Sequence, residues 1–226
     1  MPRADRICFS GAVYHIIHRG NNKQNIFVDD TDRWHLLKLF LEAKKKFECL
    51  IHCYALMHNH FHATIETPNA IPVSKIMQQV GGSYAAYFNK RHDKKGHLFQ
   101  GRFKDIIVDK ENYLLELSRY VHLNPVKAGF SIRPEEHKWS SYGVYIGEHK
   151  DALVTTSMVL SYFDMGNKEA AEKEYKKFVE SKLSEISSDR DWLKENLIRK
   201  RFLGSRDFFN NFKEKKDQAL LSKKFY

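Results

Sequence analysis

One run limits the folds open to this chain more than any other: Met57-His58-Asn59-His60-Phe61-His62-Ala63-Thr64. On a β-strand successive side chains point to opposite faces. His60, His62 and Thr64 therefore share one face, and Phe61, Ala63 and Ile65 the other, which can join a core. Residues 49–57 read as a preceding strand, and His58-Asn59 is a tight connection into a strand over 60–66. The two form a hairpin that sets two imidazoles side by side at a strand start, as a divalent metal site requires. Tyr120 and Asn124 lie four apart in a helix-like segment and so share a helical face, where a nucleophile and a third ligand could stand together.

The rest of the first 150 residues alternates strand and helix signals. Ile7 to Arg19 is β-rich and ends at the turn Gly20-Asn21-Asn22. Asp29-Asp30-Thr31-Asp32 offers N-caps for a helix carrying Trp34, Leu37, Phe40 and Leu41 to about Phe47. Pro68 and Pro72 bracket a loop before a helix over 73–92, weakened on paper by Gly81-Gly82. Arg91 to Gly96 is a polar, basic loop, and residues 98–108 read as loop, then strand. Asp109 caps a helix over 110–123, which Pro125 is expected to end. The order β-α-β-β-α-β-α predicts an α+β sandwich of the ferredoxin-like type.

From about residue 150 the texture changes, so the chain divides into a domain over 1–150 and an extension over 151–226. Residues 157–203 are mostly helical in pattern, broken near Ser184 to Asp189. Leu197 to Phe212 is basic and aromatic. No repeat or low-complexity tract is present.

Composition narrows the function. The formal charge of +10 and pI of about 9.4 favour a polyanionic partner, nucleic acid before an anionic membrane surface. Residues 1–150 hold 22 basic against 15 acidic residues and residues 151–226 hold 16 against 13, so most of the excess accompanies the histidine run. Apolar runs are short and interrupted by charge, so no membrane span is expected. The start Met1-Pro-Arg-Ala-Asp-Arg lacks a secretory apolar stretch. Cys8, Cys49 and Cys53 make no paired framework, which suits a reducing compartment. CxxC, HExxH and GxxxxGK[ST] motifs are absent, so no nucleotide cofactor is expected.

Each candidate also has a plain structural reading. Histidine pairs two apart are common, a helical tyrosine is normally core or rim, and Asn124-Pro125 is an ordinary helix stop. His58 falls at the turn and is not expected to ligate; His52 on the neighbouring strand supports the site or packs. The functional reading rests on the combination of histidine pair, helical tyrosine, amide one turn on and basic surface.

These residues fall within five ordered blocks. They are Tyr14 to Asn21, Met57 to His62, Phe99 to Lys104, Arg119 to Gly129 and Trp139 to Tyr142. Together, over roughly residues 7–146, the chain resembles the single-tyrosine HUH transposases, most closely their REP-associated branch. The resemblance implies a palm-like antiparallel sheet with helices on one face, followed by a mainly helical C-terminal extension. It implies a metal-dependent endonuclease and strand transferase acting on single-stranded DNA beside hairpins. Carried over by position, Tyr120 is the nucleophile, His60 and His62 are metal ligands, and Asn124 stands where other branches place a glutamine ligand. Mg²⁺ or Mn²⁺ suits this donor set in phosphate chemistry, although imidazole also takes Zn²⁺. Arg19, Asn21, Arg102 and Lys104 lie in the matching blocks, where DNA contacts are expected. Arg102 and Lys104 could instead merely solvate a loop, Phe99 and Phe103 fit core packing better than base stacking, and the basic stretch 199–216 suits gripping a hairpin stem or a simple solvated helix equally. The resemblance implies a monomer, as expected of this branch, with a dimer left open because some relatives are dimers that exchange the tyrosine helix. A cytoplasmic protein, nucleoid-associated when bound to DNA, follows. Two rivals stay open: a relative that holds structured single-stranded DNA without cutting it, and a metal-dependent hydrolase using water with Tyr120 structural.

Overall fold

The computed structural model describes residues 8–69, 71–163, 166–186 and 192–212. Strand β1 (Ala12–Arg19) leads to helix α1 (Asp30–Phe47), then strands β2 (Leu50–Met57) and β3 (His60–Thr67). Helix α2 (Val73–Arg91), strand β4 (Lys104–Val108) and helix α3 (Lys110–Lys127) follow. This is the β-α-β-β-α-β-α order expected from sequence.

Strands β2, β3, β1 and β4 lie side by side, all antiparallel. Met57 pairs with His60, so His58-Asn59 is the two-residue hairpin connection. Asp29 begins α1 as a cap whose side chain accepts from the Asp32 N–H at 3.2 Å. The buried Asp32 takes Arg91 and His92 from the end of α2, tying the two helices at one point.

Both helices cover one sheet face. Phe40 of α1 meets Phe61 edge-on at 5.6 Å, and Tyr84 of α2 lies 6.2 Å from Phe99. Gly81 allows α2 close to the sheet: a Cβ there would meet the His18 ring at 3.3 Å. The glycine pair that weakened the helix on paper is thus, at one of its positions, a packing device.

The α+β class stands, with one refinement. The helices are not confined to one face, because α3 lies across the other, with Tyr120 against His62. The reason lies in the parity of β3: Phe61 and His62 point to opposite faces, and each needs cover. Pro125 does not end α3, which runs to Lys127. A proline in the last turn forfeits a single backbone bond, and the carbonyl oxygens of Asn124, Pro125 and Val126 still accept from Ala128, Phe130 and Gly129.

The remainder comprises short helices α4 (Tyr142–Tyr145) and α5 (Ser157–Leu160), helix α6 (Lys168–Glu180) and a single turn, α7 (Trp192–Glu195). The helical character expected past residue 150 is present, and so is something the periodicity did not show. Strands β5 (Leu197–Ile198) and β6 (Phe202–Leu203) form a short hairpin, and β6 pairs parallel with β4, making a mixed sheet of order β2-β3-β1-β4-β6-β5. Tyr175 and Val179 of α6 and Leu203 of β6 belong to the same buried core as the central strands. Residues 213–216 of the basic stretch lie outside the described residues.

Candidate active site

The site grows out of strand register. Ile17 of β1 pairs with His62, and Arg19 with His60. Alternation then puts His15, His60 and His62 on the face that α3 covers. The His60 and His62 rings are 5.0 Å apart. His62 stacks on His15 at 5.1 Å, with His62 Nδ1 and His15 Nε2 at 3.1 Å. Tyr120 presents itself edge-on to both His15 and His62, its ring 6.1 Å from each.

Burial keeps these imidazoles uncharged. His60 is pushed down to about 4, by burial and then by the Arg19 charge. His62 falls well below its ordinary value through burial and the neighbouring His15, His60 and Arg19. Burial, with Lys104 nearby, lowers His15 to about 3. Neutral imidazole is the form that ligates a metal. Among the described residues no group of three or more His, Cys, Asp or Glu side chains could hold a metal ion. Among the described residues, a third protein donor beside His60 and His62 would be of another type. Asn124 donates through Nδ2 to the Tyr120 carbonyl at 2.8 Å, which leaves its amide oxygen as the end able to ligate. Two neutral nitrogens and one amide oxygen fit a divalent ion.

Further features frame Tyr120. Trp192 lies 5.7 Å from its ring. Tyr120, Asn124 and Trp192 line a cavity of about 280 Å³, to which Lys182, Glu185 and Glu195 also contribute. Arg119, the preceding residue, lines the same cavity while it pairs with Glu116 and sits over Phe178 at 4.1 Å. On the buried side of α3, His122 bonds through Nδ1 to the Tyr175 hydroxyl and through Nε2 to Ser141 Oγ, both at 2.7 Å. These bonds tie α3 to α6 and, through Ser141, to the backbone of Tyr54 in β2.

The expected residues fall in different places. Arg19 and Lys104, both exposed, stand on the histidine face, opposite His60 and Ile17 respectively. Asn21 is half-buried just past β1, its N–H bonded to the Leu98 carbonyl. Arg102 lines a separate cleft of about 620 Å³ with His18, Gly81 and Phe103. Phe99 and Phe103 are buried, Phe99 stacked on His18 at 3.6 Å. His52 pairs with Glu66 at 2.7 Å, and exposed His58 lies 4.3 Å from Phe130. Sequence reasoning gave no role to His15 or Trp192. Strand alternation in β1 could have flagged His15, whereas nothing local links Trp192 to Tyr120.

A four-stranded antiparallel palm with a histidine pair facing a helical tyrosine has the architecture of the tyrosine transposases. The chain belongs to the IS200-like transposase family, whose model matches residues 8–124, just over half its length. In fold it is similar to a REP-associated tyrosine transposase solved bound to a REP hairpin. That match has TM-score 0.56 at 14% identity and covers 69% of this chain and 98% of the other. A protein of Deinococcus radiodurans r1, described provisionally as a transposase, aligns with TM-score 0.39 at 14% identity over 53% of this chain and 95% of that one. No curated protein matches the chain. Family membership makes this a DNA-processing protein of the transposase type, and no helix among the described residues is long and apolar enough to cross a membrane.

Proposed function

We infer that this protein cuts and rejoins single-stranded DNA beside hairpins, with Tyr120 as nucleophile. The observation that carries the reading is the approach of Tyr120, edge-on at 6.1 Å, to the face that bears His62. The Tyr120 phenolate oxygen attacks the scissile phosphorus, a 5′-phosphotyrosine bond forms, the P–O3′ bond breaks and the leaving strand departs with a 3′-hydroxyl. The phenol of free tyrosine titrates near 10, so its proton must leave during attack. The covalent bond conserves the energy of the phosphodiester, so a second 3′-hydroxyl reverses the step and joins a new strand.

His60, His62 and the Asn124 oxygen are the residues that would hold Mg²⁺ or Mn²⁺. When bound, such an ion supplies charge neutralisation and orientation of the scissile phosphate. Arg19 and Lys104 on the same face are suited to the flanking phosphates, with Asn21 and Arg102 further along the strand. Past residue 150, Lys182, Glu185, Ile186, Trp192 and Glu195 supply a wall of the Tyr120 cavity. In this reading the protein works as a monomer, with Tyr120 acting beside His60 and His62 of the same chain.

The test incubates the protein with labelled hairpin-bearing single-stranded DNAs and Mg²⁺ or Mn²⁺, beside Tyr120→Phe. The expected product is a DNA–protein adduct that survives denaturation, needs metal and is missing from the variant. Cleavage that persists in Tyr120→Phe would assign the attack to water. Tight, salt-dependent binding without an adduct on any DNA would indicate a non-cutting module.

A further inference from the structure

A ligand histidine works only if the nitrogen facing the metal is bare, and its other ring nitrogen decides that. His60 Nδ1 lies 2.7 Å from Asn59 Oδ1. The Asn59 amide is oriented independently, because its Nδ2 donates at 3.2 Å to the Lys23 carbonyl, which can only accept. Oδ1 therefore faces His60 as an acceptor, and His60 Nδ1 must carry the proton, leaving Nε2 bare. At His62 the corresponding partner is His15, whose Nε2 faces His62 Nδ1 at 3.1 Å. His15 is fully buried and its Nδ1 has no hydrogen-bond partner among the described residues. Two bare nitrogens at that distance would repel, so one proton lies between them. The pair alone allows either ring to supply it; a metal on His62 Nε2 requires His62 to do so, which leaves that nitrogen bare and places the His15 proton on its unpartnered Nδ1.

We propose that Asn59 and His15 are positioning residues, which hold His60 and His62 with their protons on Nδ1 and so present both Nε2 atoms on one face. This rests on the metal reading above but makes a separate claim, legible without metal. It also gives Asn59, half of a hairpin turn, a duty beyond turning the chain. His15 likewise is more than a buried strand residue.

The first measurement is the long-range ¹⁵N–¹H NMR pattern of the metal-free full-length protein. Both histidines should show a protonated Nδ1 and a bare Nε2. The second is Mn²⁺ binding by titration, on wild type and variants whose folding is checked by thermal melting. Asn59→Ala removes the acceptor and should weaken Mn²⁺ by about 10- to 100-fold, the usual effect of losing such a partner. Asn59→Asp keeps the acceptor while losing the Lys23 bond, and should bind at least as tightly as wild type. His15→Phe should behave as Asn59→Ala, and His15→Gln, which retains an acceptor, should recover most of the loss. A wild-type proton on Nε2 of either histidine overturns the proposal, as does Asn59→Ala binding Mn²⁺ within twofold of wild type. If wild type and His60→Ala alike bind no Mn²⁺, the metal reading fails, and the NMR pattern alone decides whether Asn59 and His15 set the tautomers.

Discussion

Replacing Tyr175 by Phe should destabilise the protein through one oxygen atom. Ser118 donates its hydroxyl to the Leu115 carbonyl at 2.6 Å, so it can only accept from Tyr175, 2.9 Å away. The Tyr175 oxygen then accepts from His122 Nδ1–H at 2.7 Å, and His122 Nε2 accepts from Ser141 at 2.7 Å. Every proton in the chain Ser141, His122, Tyr175, Ser118 has a place. His122 and Tyr175 are both fully buried, and burial lowers His122 to about 3, so the ring is neutral. Tyr175→Phe keeps the ring and its packing but strands His122 Nδ1–H. A stranded buried donor costs about 1–3 kcal/mol. His122 can soften this by moving its proton to Nε2, since Ser141 has the Tyr54 carbonyl at 3.3 Å as another acceptor. That favours the lower half of the range, about 1–2 kcal/mol. In a chain of this size each kcal/mol moves Tm by about 2–4 °C, so calorimetry should show a fall of about 2–8 °C. His122→Phe with Tyr175→Phe removes both polar partners and should lose less than the sum of the single variants. An unchanged Tm in Tyr175→Phe, or strictly additive losses, would refute the proton assignment.

Two other outcomes follow from the helices on the opposite face. Burial alone would raise the Asp32 carboxyl, but the Val28 N–H, His92 and Arg91 together hold it below its ordinary value. A carboxylate lowered in the folded state stabilises above its unfolded pKa and loses that contribution as pH falls through the folded value. Asp32→Asn should therefore melt well below wild type at pH 7, and the gap should narrow below about pH 4; a gap independent of pH would contradict this. Gly82 is exposed and a Cβ there meets nothing, so Gly82→Ala should stabilise by about 0.5–1 kcal/mol in denaturant titrations. Gly81→Ala should gain less or lose, because its Cβ crowds His18, and equal gains would argue against that close approach.

Much of this architecture was legible locally. Alternation along 60–67 separates Phe61 from His62, and the two-residue link at His58-Asn59 sets the register that pairs Met57 with His60. Helical spacing makes Tyr120 and Asn124 neighbours, and Asp29 caps α1 as its type suggests. Such signals are periods within one element, read over a few residues.

Other features depended on which elements meet. Strand β1 lies between β3 and β4, and only that register brings His15 to His62. Pro125 stays inside α3 because its lost bond falls in a last turn whose remaining carbonyls are met, a matter the dipeptide Asn124-Pro125 does not express. Trp192 reaches Tyr120, and Phe202-Leu203 reaches the edge of β4, across long stretches of chain. The sequence by itself determined the hairpin, the facing of its histidines and the amphipathic helices, because each follows from backbone geometry repeated every two or 3.6 residues. Only the tertiary structure decided what those faces meet, because contacts between distant segments depend on shape and on the burial of partners that no local period encodes.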